Sequence, residues 1–479
     1  MKSWLKVDSF VLVVCTLSLA LQSLLLIYTG TAAGIKLNLV LQLLFLIAFG
    51  VWSTRVTNSL LNAPFVFVLS IYFWHSTFVT PHFLSANPKF EFTGNIFSFG
   101  ERFVPQSIGF IGLCLVCSVL GATGARGRLL RRISRKGGGL AEVADTPVQR
   151  PVTRSVRRAV WCSFAIFVII QASYMIIESP IVFGGSYMSL YIEEPDSLIY
   201  RIFQSLKFMG VPIILLVFAS ASNQIEKRIA FLVSAALIIL NLMMGSRSIP
   251  FIYGMALLVC VDRFYWRIPF LVMGVIAASG MALSFIVDHS RGYGLGLQVF
   301  DLSQSGRSVD FLHVFSNAGG VIRNVLRTME FSEGHLWWGR SFADSVIYLL
   351  PRVVVDSVGL GSGTLRPCDW LIAASNDVQL GEGLGYSLVA EAYLNFGYYG
   401  CFLFAAIGGV IGHLFFSFQL HNNRMAWVNA YIIAVTLCLH MRNDSATYFR
   451  VIFYGLLLTT ALMLKVRRTR PPRPCLAVA

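Results

Sequence analysis

"IAFLVSAALIILNLMMGSRSIPFIYGMALLVCVDRF", residues 229–264, is a pair of apolar runs joined by a glycine, an arginine and a proline. Each run is nearly long enough to cross a hydrocarbon core of roughly 30 Å as a helix. Gly245 and Pro250 break the pattern between them, so the stretch reads as a helical hairpin in lipid. Arg247 stands at its tip, a permanent charge where a charge is expensive.

The same pattern fills the chain. With 56% hydrophobic and 13% charged residues over 479 positions, the composition excludes an ordinary soluble protein. Spans are expected at 10–29, 37–52, 60–79, 105–122, 159–177, 203–222, 229–244, 249–264, 270–287, 398–418, 427–440 and 447–465. The expected fold is therefore an all-α polytopic integral membrane protein of about 12 transmembrane helices. Its first run is too long for the apolar core of a cleaved signal peptide and reads as an uncleaved anchor.

Orientation follows from the basic residues. With the N-terminus inside, the inside segments take most of the Lys and Arg, and the outside segments most of the Asp and Glu. The net charge of +15 thus reflects topology, and no nucleic acid is expected as a partner. The chain divides into spans 1–4 (1–122), a basic inside linker (123–158), spans 5–9 (159–287), a large outside segment (288–385), spans 10–12 (386–465) and a basic tail (466–479). The linker, ten of whose residues between Gly124 and Arg158 are basic, reads as disordered and attracted to lipid headgroups. Nine scattered cysteines form no disulfide framework or metal-binding pattern.

Four constellations carry chemistry. Arg247 tips the short seventh–eighth hairpin, where it either snorkels to headgroups or lines a cavity. "HMRNDSATYFR", residues 440–450, crowds Arg442, Asp444, Tyr448 and Arg450 into another outer turn, with Asp444 a candidate ion-pair partner. In "GEGLGYSLVAEAYLNFGYYGC", residues 381–401, Ser387, Glu391 and Asn395 recur every four residues and form one polar stripe on a helix. "HSRGYGLGL", from His289, brings Arg291 and Tyr293 to a glycine-rich exit. The large segment adds seven arginines, Arg352 among them, and no lysine. Arginine suits bidentate contact with phosphate, so a ring of such turns suits a polyprenyl diphosphate held at the outer surface.

The G-[ST]-R turn between short spans, the outer segment of about a hundred residues after "SRGYG", the E-x-Y-x-N-F-G-x-x-G entry to a late span and the arginine cluster before the last span are similar to the bacterial O-antigen polymerases of Wzy type. The resemblance covers the chain from Ile229 onward, plus the span number. It implies a glycosyltransferase in the bacterial inner membrane with both termini cytoplasmic. It implies undecaprenyl-diphosphate-linked oligosaccharides as substrates, polymerised at the periplasmic face by moving the growing chain onto the non-reducing end of a new unit. It leaves room for a chain-length regulator protein as partner. By matching position it implies that Arg247, Arg291, Arg442 and Arg450 bind the diphosphates and stabilise the departing carrier.

Glycosyl transfer needs charge stabilisation on the leaving group and often a base for the acceptor hydroxyl. The first outer loop, Gly30 to Lys36, holds no acid, so a metal-independent site without cofactor is expected, with arginines in place of a cation. Arg247, Arg442, Glu391 and Asp444 are the catalytic candidates, Glu391 or Asp444 as base and His335 as an outsider. Arg291, Tyr293, Arg352, Asn395, Tyr448 and Arg450 are the candidates for holding diphosphate or sugar. Two competitors share the lipid-linked substrate. A flippase should show two homologous halves with short loops, which are not found here. An O-antigen ligase usually shows a histidine motif in the large loop, and neither His313 nor His335 sits in one.

Overall fold

The computed structural model describes residues 2–77, 79–80, 103–135, 153–177, 202–203, 206–244, 246, 248–269, 271–276, 279–280, 283, 286, 321–332, 334–350, 355, 359, 366–375, 386–421, 423–441 and 445–468. Among them regular structure is entirely helical. Five helices are long and apolar enough to cross a membrane, within 6–29, 33–57, 104–135, 154–177 and 388–420; shorter apolar helices lie within 63–76, 207–220, 424–439 and 448–462.

In chain order the helices are α1 (Lys2–Thr29), α2 (Ala32–Thr57), α3 (Ala63–Ser76), α4 (Val104–Arg135), α5 (Arg154–Ile177), α6 (Gly210–Ser220), α7 (Gln224–Met243) and α8 (Ser248–Phe264). After them come α9 (Ile322–Ser332), α10 (Arg340–Ile347), α11 (Pro367–Ser375), α12 (Leu388–Phe396), α13 (Cys401–His421), α14 (Arg424–His440) and α15 (Ser445–Arg468). Of the ninth expected span, 270–287, the described residues are 271–276, 279–280, 283 and 286, all helical, while most of 288–385 lies outside the described residues.

Caps set the boundaries. Asn62, Asn223 and Asn423 each begin a helix by accepting backbone N–H groups, and Glu226 reaches back to the N–H of Ser222 at 2.7 Å, completing a reciprocal cap on α7. The basic stretch after 122 starts helical, α4 continuing to Arg135, and α5 begins at Arg154. "RLLRRISR" is made largely of good helix formers, and Leu129 is buried against the core, so the helix has no reason to stop at the end of the apolar run.

Because lipid offers little hydrophobic drive between helices, close packing and buried hydrogen bonds hold them. α4 and α13 meet along small residues. A Cβ on Gly412 would lie 2.8 Å from Ala122 Cα, and one on Gly121 or Gly408 would run into the backbone oxygen of Ala405 or Ser118. α1 to α4 share a buried polar spine: Ser76 Oγ donates to Gln42 Oε1 (2.6 Å), Gln42 Nε2 to Asn38 Oδ1 (2.8 Å) and to the Ile108 carbonyl (3.2 Å), and Asn38 Nδ2 to Ser23 Oγ (3.0 Å).

Helix ends meet in two sets. In one, Asp262 accepts from Ser59 Oγ (2.6 Å), Arg267 Nη1 (2.8 Å) and the N–H of Ile268 (3.0 Å), while Arg424 Nη1 donates to the Ala219 carbonyl (3.1 Å). In the other, Trp74 Nε1 donates to the Cys438 carbonyl and packs edge-on against Phe251, bringing α3, α8 and α14 together.

Gly408→Ala is expected to lower the melting temperature of the detergent-purified protein, by the ~1–3 kcal/mol typical of overpacking. Gly254→Ala, in a helix with nothing within 4 Å of the new Cβ, should be neutral or stabilising. Equal melting temperatures for the two variants would contradict the packing described.

Candidate active site

The polar stripe on α12 is real and fully buried: Ser387, Glu391 and Asn395 each have 0% exposure. Ser387 is the N-cap, in extended conformation, and its hydroxyl accepts from the N–H groups of Val389 (3.1 Å) and Ala390 (3.3 Å). From outside α12, His75 Nε2 lies 2.8 Å from Ser387 Oγ. His75 Nδ1 is 2.9 Å from the Ile71 carbonyl, which can only accept, so Nδ1 carries a hydrogen and Nε2 of a neutral ring accepts from the Ser387 hydroxyl. α12 is thus fixed at its N-cap to the C-terminal end of α3.

One turn further, Glu391 holds two other helices. Its Oε1 accepts from Ser341 Oγ (2.6 Å) on α10 and from Ser445 Oγ, and its Oε2 accepts from the N–H of Ser445 (2.7 Å). Ser445 is the first residue of α15, so the carboxylate sits at a helix N-terminus, where unsatisfied N–H groups and the helix dipole favour negative charge. Asn395 completes the stripe: its Nδ2 donates to Ser341 Oγ (2.7 Å) and to the Glu391 carbonyl (2.8 Å). Ser345, one turn along α10 from Ser341, donates to the Ser341 carbonyl (2.7 Å), and its hydroxyl lies against Ser445 Oγ. Phe342 stacks between Phe396 and Phe449, with ring centroids 6.1 and 6.2 Å away, sealing the junction of α10, α12 and α15.

Arg450 also works on this junction. Its Nε and Nη2 donate to the Tyr348 carbonyl, at 3.0 and 2.7 Å, at the C-terminal end of α10, where a cation is favourable. Tyr454, one turn on, donates to the Leu349 carbonyl (2.5 Å), and Tyr448 is buried.

Of the residues singled out in the sequence, the structure brings together Glu391, Asn395 and the helix of Tyr448 and Arg450. His335 is exposed, in the segment before α10. Arg247, Arg291, Tyr293, Arg352, Arg442 and Asp444 lie outside the described residues. The described ends nearest two of their turns are anchored. Ser246 N–H donates to the Asn241 carbonyl (3.2 Å) at the end of α7, and Ser445, which follows residues 442–444, is held by Glu391. Sequence reasoning missed Ser341, Ser345, Ser445 and His75. The i, i+4 serines of "RSFADS" and a lone histidine in an apolar helix were the available signals.

A multi-pass helical membrane protein whose late helices meet at a buried polar junction is the class that the fold defines. Within that class the family model for the O-antigen polysaccharide polymerase Wzy matches residues 11–469, and the chain belongs to that family. Comparison with curated proteins and with solved structures returned no match.

Glu391→Ala would leave Ser341 Oγ, Ser445 Oγ and the Ser445 N–H without their acceptor. The expected loss, about 1–3 kcal/mol for each orphaned buried donor, should appear as a lower melting temperature in detergent. A melting temperature equal to wild type would contradict the junction.

Proposed function

We propose that the chain polymerises undecaprenyl-diphosphate-linked oligosaccharide repeat units into O-antigen-type polysaccharide at the periplasmic face of the inner membrane. The growing chain is transferred onto the non-reducing end of an incoming lipid-linked unit. The observation that carries this is the match to the polymerase family over residues 11–469, which the ligase and flippase readings lack.

In this reading Arg247 and Arg442 stabilise charge on the departing undecaprenyl diphosphate, replacing a metal ion, while Arg291, Tyr293 and Arg352 hold diphosphate or sugar. Both Glu391 oxygens already accept hydrogen bonds from protein donors, which favours Asp444 as base and Glu391 as the group that holds the start of α15. Asn395, Tyr448 and Arg450 support the same junction from α12 and α15. In this reading the chain crosses the membrane twelve times, with both termini cytoplasmic and 288–385 as a periplasmic cap; the opposite directions of α8 and of α3 and α14 accord with such alternation. A chain-length regulator acts as partner.

The test is a surface-polysaccharide gel on a deletion strain complemented with wild type, Arg247→Ala or Arg442→Ala at matched expression. Lipid A cores capped by one repeat unit, with no ladder, are expected from the deletion and both variants. Uncapped cores in the deletion would point to a ligase or flippase instead, and a normal ladder from both variants would remove the arginines from the site. Elongation by the reconstituted enzyme should persist in EDTA; its abolition, restored by a divalent cation, would overturn metal independence.

A further inference from the structure

Trp338 is held at φ +50°, a left-handed conformation that is an outlier for so bulky a side chain. Its side chain is also 76% exposed, more than Trp266 at 52%. The turn itself does not call for tryptophan. The contacts that dock it on α12 are made by backbone, the N–H of Trp337 to the Leu394 carbonyl (3.0 Å) and that of Trp338 to the Asn395 carbonyl (2.9 Å). Glycine or asparagine would make the same bond with less strain.

What tryptophan adds is an indole presented to the outside on a fixed base. Trp337 beside it packs edge-on against Trp370, with ring centroids 5.6 Å apart. His335 and Arg340, on either side of the pair, are exposed, so the indole stands among polar groups. Three residues after Trp338, Ser341 enters the Glu391–Asn395 junction. A rigid aromatic face receives the apolar C–H face of a sugar ring, while polar neighbours meet its hydroxyls.

We propose that Trp338 is a stacking platform for a sugar ring of the lipid-linked repeat unit, a carbohydrate subsite beside α12. The inference rests on the polymerase reading and deepens it. The platform binds substrate without touching the reacting bonds, so its loss falls on KM more than on kcat.

Trp338→Gly separates platform from turn, because it removes the ring and relieves the backbone. Reconstituted protein is assayed with the undecaprenyl-diphosphate-linked repeat unit extracted from a polymerase-deficient strain. Trp338→Gly should melt no lower than wild type, yet its apparent KM should rise roughly 5- to 10-fold, the scale of one aromatic contact. Trp338→Phe should recover most of that loss. A wild-type KM in Trp338→Gly would overturn the subsite. So would quenching by brominated acyl chains that disappears in Trp338→Phe, which would make the residue a bilayer anchor. If wild type itself fails to elongate, the polymerase reading falls. Calorimetric binding of the free, delipidated oligosaccharide then decides the subsite: weaker binding by Trp338→Gly supports it, and equal binding overturns it.

Discussion

A carboxylate buried with 0% exposure in a protein of this composition must be fully compensated, and Glu391 is compensated by groups from helices far apart in sequence. Ser341 belongs to α10, Glu391 to α12 and Ser445 to the start of α15. None of the three can move away without leaving the carboxylate, or its donors, unsatisfied in a medium that supplies no substitute. The assembly of the late helices therefore depends on one side chain. Arg450 and Tyr454 extend the same logic, drawing the last carbonyls of α10 onto α15.

This junction is tied to the amino-terminal helices by a polar contact and by packing, Phe110 of α4 lying edge-on to Tyr393 and Tyr398. His75 meets Ser387 at the start of α12, and the adjacent Ser76 enters the spine of Gln42, Asn38 and Ser23. The small-residue seam of α4 and α13 lets two backbones approach closely. Together they hold α12 against the amino-terminal helices.

Much of the architecture was legible because hydrophobic runs are a one-dimensional signal. The expected span at 249–264 corresponds to α8 within a residue, and that at 427–440 to α14 within three. The extension of α4 to Arg135 was not legible, because a hydropathy reading ends a helix where apolar residues end, whereas helix propensity continues through "RLLRRISR". The stripe of Ser387, Glu391 and Asn395 was readable from its four-residue spacing. Its partners were not, since nothing local marks Ser341 and Ser445 as meeting across 50 and 54 residues from Glu391. Arg450 shows the same limit. The resemblance implied that it binds diphosphate, and only the fold shows its contact with the Tyr348 carbonyl.

The central claim, that Glu391 acts by holding the start of α15 and not by its charge alone, is tested by the affinity of the reconstituted protein for undecaprenyl diphosphate in wild type and Glu391→Gln. Removing a negative charge near an anion site should by electrostatics alone tighten binding. The account predicts weaker binding, because the amide keeps one acceptor and turns its hydrogens either on the Ser445 N–H or on the serine hydroxyls, displacing the start of α15. Binding equal to wild type or tighter would contradict it.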